Sequence, residues 1–267
     1  MNDAQFEAAS LALAAARREA RSIQDWPEER LPRDLAEAYR LQAAVVGELG
    51  PVAGWKVAAV TPAQRTALAV DRPIGAALLR RWLHDARRAP ARLRGADFIA
   101  PKLECEIAFE LGSELPPRRG RAYSRDEVRA ATAALRLAVE IVDSRLPRGL
   151  GALAELADGF NNGALVAGPA LAAWDAVDFA QLGIVLTRTH AGRSDEVARG
   201  SAKAILDGDP FATVVLLANA PPDATRGLVA GDIVTTGSCT GAPALPGPGA
   251  YRAEFAQIGR VEFVFAD

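Results

Sequence analysis

The sequence predicts an α+β protein in which a helical N-terminal region precedes a series of short strands with a few intervening helices. Two patterns lead to this prediction. Apolar residues recur at near-helical spacing over residues 35–49 and stop at Gly50-Pro51, whereas later segments alternate between apolar and polar residues with the period of a strand. Because strands and helices do not alternate regularly, a doubly wound parallel sheet is disfavoured.

The first fifty residues are predicted to form a helical lobe. Residues 1–21 are rich in helix formers, and a segment between two prolines, residues 27–32, separates them from the helix over 35–49. Residues 51–267 are then the second, strand-rich domain.

Strands and helices of the second domain follow from local patterns. Strands are predicted over residues 52–60, 103–111, 135–142, 232–236, 251–255 and 260–265. Ser124 and Glu127 form a capping-box pattern before a helix that extends to about residue 134, and Asp209-Pro210 opens a second helix over 211–219.

Composition excludes several classes of function. The 267 residues contain 31 Lys and Arg against 33 Asp and Glu, so the net charge of −2 gives no field for a polyanion, and nucleic acid is not an expected partner. No window has the roughly 20 apolar residues of a membrane span. Asp3 and Glu7 precede the short apolar stretch at 11–16, unlike a secretory signal, and we expect a cytoplasmic protein.

Two glutamates on one predicted strand form the most informative pattern. Glu104 and Glu106 are two residues apart and share a face, where they could bind a hard divalent cation such as Mg²⁺ or Mn²⁺. For an isolated pair, the solvated face of a strand is the more common explanation. Glu140 lies in an apolar strand, where an unpaired charge is costly, and is the candidate third ligand. It could equally pair with Arg136 or Arg145.

Other polar residues have two explanations each. Lys56 is a lone cation in an apolar strand, where burial or a metal would lower its pKa for proton transfer, or it is a surface lysine with a buried stem. In the segment Asp143-Ser144-Arg145, the arginine could bind a substrate carboxylate, or the Asp and Arg could form a structural pair. Ser238 and Thr240 lie in a small-residue loop that a ligand could approach.

Histidine and cysteine chemistry is disfavoured. The chain has two histidines, His84 and His190, neither placed near candidate triad or zinc partners, so a Ser-His-Asp triad and a His-based zinc site are not expected. Cys105 and Cys239 form no C-x-x-C motif and are expected to be reduced, buried thiols.

Three segments together resemble the 2-keto-4-pentenoate hydratase and oxalocrotonate decarboxylase family of the fumarylacetoacetate hydrolase superfamily. They are Gly54-Trp55-Lys56, Pro101-Lys102-Leu103-Glu104-Cys105-Glu106-Ile107-Ala108-Phe109 and Glu140-Ile141-Val142-Asp143-Ser144-Arg145. Their order and spacing match, and the resemblance extends over residues 35–265. It implies a mixed β-sheet rolled into a partly open barrel with an N-terminal helical region, assembled into dimers or rings of dimers.

The resemblance also implies the site and the reaction. Glu104, Glu106 and Glu140 match the metal carboxylates, and Lys56 matches the active-site lysine. The implied reaction is hydration of 2-hydroxypenta-2,4-dienoate to 4-hydroxy-2-oxopentanoate in aromatic catabolism, with Lys56 and Asp71 as candidates to move the proton. The residues expected to bind the 2-oxo acid are Asp143, Arg145, Asn162, Ser238 and Thr240.

Three segments differ from the family pattern and bear on the substrate more than on the fold. Ile74 stands where several relatives have a carboxylate, residues 159–163 replace a more serine-rich loop, and residues 244–249 lack a lysine and an aspartate. The alternatives that stay open are a 2-oxo-3-hexenedioate decarboxylase, an acylpyruvate hydrolase and a non-catalytic subunit. Association with a related decarboxylase or a downstream aldolase is a further expectation.

Overall fold

The computed structural model describes residues 1–59, 62–67 and 69–267. Its six α-helices are α1 (Asp3–Arg18), α2 (Leu35–Leu49), α3 (Pro62–Ala67), α4 (Arg125–Ala131), α5 (Ala152–Ala157) and α6 (Pro210–Asn219). The twelve strands are β1 (Val52–Ala58), β2 (Ile74–Leu79), β3 (Leu83–Asp85), β4 (Ala91–Arg94), β5 (Lys102–Leu111), β6 (Thr132–Val142), β7 (Asn162–Leu171), β8 (Gly183–His190), β9 (Arg193–Ser201), β10 (Ile233–Ser238), β11 (Gly249–Phe255) and β12 (Gly259–Ala266).

These strands form two sheets, and the predicted fold class is confirmed. A seven-stranded mixed sheet has the order β2-β1-β10-β5-β6-β7-β3 and curls into a half-barrel, while a five-stranded sheet has the order β4-β12-β11-β8-β9. In the seven-stranded sheet, β10 is parallel to β1 and antiparallel to β5. The central strands β5 and β6 are almost entirely buried, as expected for the middle of a sheet covered on both faces.

Most predicted elements are found with small shifts in their ends. The helix over residues 35–49 begins after the N-cap Asp34 and ends at Gly50. The Ser124 capping box is present, but the predicted extension of that helix to residue 134 is wrong, because residues 132–134 belong to β6 and pair with the end of β5. The first predicted strand is confirmed over Val52–Ala58, and its last residue, Val60, lies outside the described residues.

The N-terminal helices pack on the sheet and share its core. Leu13 of α1 and Leu41 of α2 are fully buried in the same apolar cluster as Leu103 and Val139 of the central strands. Gln42 joins α2 to the sheet: its side-chain amide donates to the carbonyl of Leu156 at 2.5 Å and accepts from the backbone of β2 at 3.1 Å. The division at residue 50 remains a prediction. None of the described helices is long and apolar enough to cross a membrane.

A glycine sets the close approach of β1 to β10. Gly54 has φ +152°, and a Cβ at this position would lie 1.9 Å from the carbonyl oxygen of Ile233. Only glycine fits such a contact between backbones. The approach matters for the site, because Lys56 lies two residues further along β1.

Candidate metal centre

Three carboxylates meet on the central strands of the larger sheet. Glu104 and Glu106 lie two residues apart on β5, and Glu104 is directly opposite Glu140 in the register of β5 with β6. One oxygen from each of the three lies within 4.8 Å of the others. Glu106 and Glu140 are completely buried, which excludes the solvated face of an edge strand as an explanation for them.

The two buried carboxylates each have one oxygen bound by the protein and one without a partner. Glu106 Oε2 accepts a hydrogen bond from the backbone of Gly237 at 2.7 Å, and Glu140 Oε1 accepts one from Asn162 Nδ2 at 2.9 Å. Within the described part of the chain, Glu106 Oε1 and Glu140 Oε2 have no hydrogen-bond partner. A buried oxygen without a hydrogen-bond partner destabilises the fold, and a bound cation would satisfy it. Carboxylate oxygens are the ligands that Mg²⁺ or Mn²⁺ prefers.

Electrostatics also favour a cation here. Burial raises the pKa of Glu104 to about 7, although Lys56 opposes the shift. Burial and then the charge of Glu140 raise the pKa of Glu106 well above its usual range. Three carboxylates in one buried cluster cannot all be ionised cheaply, so a divalent cation would supply the missing positive charge. The residues present therefore fit a divalent metal.

Lys56 projects into the same cluster from β1. Its side chain is 7% exposed, and Nζ lies 3.0 Å from Glu140 Oε1 and donates to the carbonyl of Phe160 at 3.2 Å. Burial lowers the pKa of Lys56, but the charges of Glu140 and the two glutamates of β5 outweigh it, and the net pKa is raised. Burial therefore acts on this pKa in the expected direction, but in the metal-free site the three carboxylates reverse the net shift.

A cavity of about 360 Å³ opens beside the carboxylates. Its lining includes the predicted residues Lys56, Glu104 and Ser238, together with Phe160 and Asn161. The Ser238 hydroxyl donates to the carbonyl of Gly241 at 2.7 Å and is half-exposed. The space has room for a small molecule with one end beside the carboxylate cluster.

Thr240 does not line this cavity among the described residues. Its hydroxyl accepts a hydrogen bond from the backbone of Cys105 at 3.1 Å, which ties the loop after β10 to β5. The structure thus places Thr240 behind Glu104 and Glu106 as a support for the loop. The predicted contact of Thr240 with a substrate stays a prediction.

The structure does not place Arg145 to bind a substrate. Its side chain is 2% exposed, and all three guanidinium nitrogens donate hydrogen bonds within the protein. Nε donates to Asp158 Oδ1 at 3.0 Å, and one terminal nitrogen donates to the carbonyl of Asp158 at 2.7 Å. The other terminal nitrogen donates to the carbonyls of Asp143 and Asn162. Arg145 therefore has a structural role, and its partner carboxylate is Asp158 rather than Asp143. Burial raises the pKa of Asp158, and Arg145 opposes that shift.

Asp143 is also committed to the backbone. One carboxylate oxygen accepts from the amide of Ile99 at 2.9 Å, and the other accepts from the amide of Ala100 at 2.8 Å. These bonds anchor the segment that enters β5. The predicted substrate contact has no support, because both oxygens already have donors.

The turn that Arg145 braces has an unusual backbone. Gly159, Phe160 and Asn161 follow one another with φ of 66°, 53° and 59°. Two of them are non-glycine residues in the left-handed region, which costs about 1–2 kcal/mol per residue and is common where a functional site fixes the chain. This turn presents the carbonyl of Phe160 to Lys56 and leads directly into Asn162.

Asn162 contacts a carboxylate of the cluster and lies away from the cavity. It is 1% exposed, donates to Glu140, and accepts at Oδ1 from Arg17 at 2.9 Å. The predicted role in substrate binding is therefore not supported by its position. Arg17 is not among the residues predicted for the site, although it shares the buried face of α1 with Ser10, Leu13 and Ala14 at helical spacing.

Asp71, predicted to be catalytic, stands apart from the cluster. Its side chain is 86% exposed, and its nearest charged partner is Arg72 at 3.7 Å. The family position after the proline is Ile74, which is buried in β2. The structure therefore offers no compensation for the missing carboxylate through Asp71.

The two cysteines are free and buried, as expected, and the two histidines lie outside the carboxylate cluster. Within the described residues, the cluster able to hold a metal contains neither His84 nor His190. Cys105 and Cys239 are free and buried, and the backbone of Cys239 donates to the carbonyl of Cys105 at 2.9 Å. Burial raises the pKa of Cys105 to about 12, so this thiol is unreactive near neutral pH.

The fold is that of the fumarylacetoacetate hydrolase superfamily, here with a buried acidic cluster suited to a divalent cation. The structure aligns over 99% of its length with 98% of 4-oxalocrotonate decarboxylase from Pseudomonas putida G7, with a TM-score of 0.84 and 22% identity. That protein has been solved with calcium and acetate and with magnesium and adipate. Fumarylpyruvate hydrolase from Pseudomonas aeruginosa, solved with Mn²⁺ and pyruvate, covers 79% of this chain and 88% of its own, with a TM-score of 0.55 and 13% identity.

Among curated proteins, the chain is similar to 2-keto-4-pentenoate hydratase 2 of Dechloromonas aromatica strain RCB. The two are 29% identical over 267 residues, which is 97% of each chain. The resemblance seen in the sequence is confirmed by these relatives. No protein-family model matches the chain.

Proposed function

We propose that this protein is a divalent-metal-dependent hydratase that converts 2-hydroxypenta-2,4-dienoate and water into 4-hydroxy-2-oxopentanoate. One observation carries the proposal: the unpaired oxygens of Glu106 and Glu140 lie in a buried three-carboxylate cluster, beside Lys56 and the cavity. The full-length similarity to a 2-keto-4-pentenoate hydratase supports the reaction class.

Glu104, Glu106 and Glu140 would hold the cation. When bound, a divalent cation supplies Lewis-acid stabilisation of negative charge on the 2-oxygen of the substrate. Glu106 and Glu140 are fully buried, and electrostatic interactions are stronger away from water.

Lys56 is the group placed to move a proton. Glu140 and the carbonyl of Phe160 fix the direction of Nζ. In the metal-free site the charges of the three carboxylates raise the pKa of Lys56. In the first stage the 2-hydroxyl loses a proton and carbon 5 gains one, which yields the conjugated 2-oxo-3-enoate. In the second stage water adds its hydroxyl to carbon 4 and a proton to carbon 3. Lys56 acts as general acid, and Ser238, which also lines the cavity, orients the substrate.

Decarboxylation of 2-oxo-3-hexenedioate is the second candidate, favoured by the TM-score of 0.84 to a 4-oxalocrotonate decarboxylase. Its substrate carries a carboxylate at each end. Among the described residues that line the cavity, Lys56 is the one cation, and it already pairs with Glu140. A second carboxylate would have no cationic partner in that lining, so the monocarboxylate substrate of the hydratase fits better.

The test is the decay of ultraviolet absorbance of each substrate with purified protein, with and without Mg²⁺ or Mn²⁺, coupled to detection of CO₂. Metal-dependent loss of 2-hydroxypenta-2,4-dienoate without CO₂ is the expected result. Release of CO₂ from 2-oxo-3-hexenedioate would assign the decarboxylase. Metal binding without turnover of either would indicate a non-catalytic subunit.

We further propose a homo-oligomer of dimers, which sedimentation would measure.

A further inference from the structure

We propose that Arg17 and Asn162 are positioning residues of the metal centre, through which the N-terminal helix α1 sets the orientation of Glu140. The inference rests on the proposed function in one respect, namely that the carboxylate cluster binds a divalent cation. It concerns residues that contact neither the cavity nor, by geometry, a cation held by the three glutamates.

A continuous line of side-chain contacts joins α1 to the cluster. An Arg17 terminal nitrogen donates to Asn162 Oδ1 at 2.9 Å, and Asn162 Nδ2 donates to Glu140 Oε1 at 2.9 Å. The same Glu140 oxygen lies 3.0 Å from Lys56 Nζ. Arg17, Asn162, Lys56 and Glu140 are all less than a tenth exposed, so water does not compete for these contacts.

The line fixes which way each group points. Because Arg17 is a pure donor, the acceptor end of the Asn162 amide must face it, and the donor end must then face Glu140. Two donors on Glu140 Oε1 hold that oxygen against the protein and leave Oε2 unpaired beside Glu106. Donor groups behind a ligating side chain commonly orient it in this way.

Arg17 is a buried cation whose surroundings do not favour its charge. Burial, and then the charge of Arg145, lower the pKa of Arg17 to about 9, and within the described residues it has no carboxylate within 4.0 Å. Its guanidinium lies over the Trp82 ring at 4.5 Å and also contacts the carbonyl of Gly163 at 3.4 Å. A buried cation without an ion pair is costly, and here it serves a neutral amide that in turn contacts a metal ligand.

Manganese binding, measured by the electron paramagnetic resonance of free Mn²⁺, tests the inference without relying on activity. Loss of a group that orients a ligand typically weakens metal affinity by about 10–100-fold, so Arg17→Gln and Asn162→Asp should each weaken binding by roughly that factor. Arg17→Lys keeps the charge and one donor and should recover part of the affinity. Asn162→Asp keeps the shape and the acceptor for Arg17, but it loses the donor to Glu140 and sets a carboxylate oxygen against that of Glu140.

Arg18→Gln is the matched control. Arg18 follows directly on α1, but it is exposed and contacts Glu48, with 3.4 Å between its guanidinium and the carboxylate. This variant should bind Mn²⁺ like the unaltered protein. Circular dichroism at the assay temperature shows whether each variant is folded, and the isosteric Asn162→Asp decides the question if Arg17→Gln is not.

The two proposals fail in different ways. If the unaltered protein binds no Mn²⁺, the metal centre itself is refuted. If the unaltered protein binds Mn²⁺ and folded Asn162→Asp binds it with equal affinity, the positioning role is refuted while the metal centre stands. Weakened binding in Asn162→Asp and Arg17→Gln, with Arg18→Gln unaffected, supports the inference.

Discussion

Lys56 Nζ lies 3.0 Å from Glu140 Oε1, so the lysine that lines the cavity is paired with one of the three carboxylates of the cluster. The pair is buried, and the lysine is held by the carbonyl of Phe160 as well. This arrangement separates two tasks. Oxygen Oε1 of Glu140 fixes the proton-transfer group, and oxygen Oε2 is left for a cation.

The first prediction concerns Lys56→Met. Removing the ammonium should lower kcat by about 10²–10⁴-fold, the usual contribution of a general acid or base, while Mn²⁺ still binds because Glu140 keeps its bond from Asn162. Steady-state kinetics at saturating Mn²⁺ provide the measurement. Arg92→Met, which removes an exposed cation on β4 of the five-stranded sheet, is the control and should keep full activity. If Lys56→Met retained more than half of kcat, Lys56 would not be the proton donor.

The second prediction separates stability from function at Glu106. The pKa of Glu106 is higher in the folded protein than in the unfolded chain. Above the pKa of the unfolded glutamate, the unfolded chain therefore ionises more readily, which destabilises the fold. Glu106→Gln should therefore raise the Tm of the metal-free protein at pH 7 while it abolishes Mn²⁺ binding and metal-dependent turnover. Calorimetry with a chelator, followed by titration with Mn²⁺, measures both.

Glu110→Gln is the control for that substitution. Glu110 lies on the same strand but is partly exposed, and its carboxylate is 3.4 Å from Arg136. Metal binding should be unchanged in this variant. A Glu106→Gln protein that still bound Mn²⁺ with the original affinity would contradict the assignment of Glu106 as a ligand.

The third prediction concerns Arg145→Gln, which should destabilise the fold by about 3–5 kcal/mol because Asp158 is left buried without its partner. The double variant with Asp158→Asn should recover part of this loss. Arg125→Gln breaks an ion pair with Asp209 that is 2.8 Å long but exposed, and should cost under about 1 kcal/mol. Urea unfolding gives all three values. An unchanged unfolding midpoint with a raised KM would instead restore Arg145 as a substrate ligand.

The sequence could predict those parts of the site that local periodicity controls. Alternation on β5 places Glu104 and Glu106 on one face, and the apolar surroundings of Glu140 mark its charge as exceptional. Such statements depend on a few neighbouring residues. They do not depend on how β5 and β6 pair, although that pairing is what brings Glu140 opposite Glu104.

Residues whose partners lie far away in sequence could not be assigned in this way. Arg17 and Asn162 are 145 positions apart, and nothing local indicates that one orients the other. Arg145 sits in a segment that resembles a family motif, yet its contacts with Asp158 depend on the left-handed turn that starts at Gly159. A motif gives the identity of a residue, whereas the fold decides whether its donors remain free for a ligand.

The last prediction is a pH dependence at the start of α2. The side chain of Glu37 is 8% exposed, and hydrogen bonds from Arg33 and from the amino group of Met1 lower its pKa to about 2. A carboxyl whose pKa is lowered by folding stabilises the protein above its unfolded pKa and loses that contribution as pH falls towards the folded value. Glu37→Gln should thus lower Tm at pH 7 by about 1–3 °C, a small shift because Arg33 is exposed.

The difference in Tm between Glu37→Gln and the unaltered protein should shrink between about pH 4.5 and pH 2, because the carboxyl of the unaltered protein becomes neutral over that range. Calorimetric scans at pH 7, 5, 4 and 3 measure it. Glu48→Gln is the control. Glu48 also lies on α2, but it is 43% exposed, and its carboxylate is 3.4 Å from Arg18 of α1. A difference that stayed constant down to pH 3 would show that Glu37 acts through its shape and hydrogen bonds alone, and that its charge adds nothing to the stability of α2.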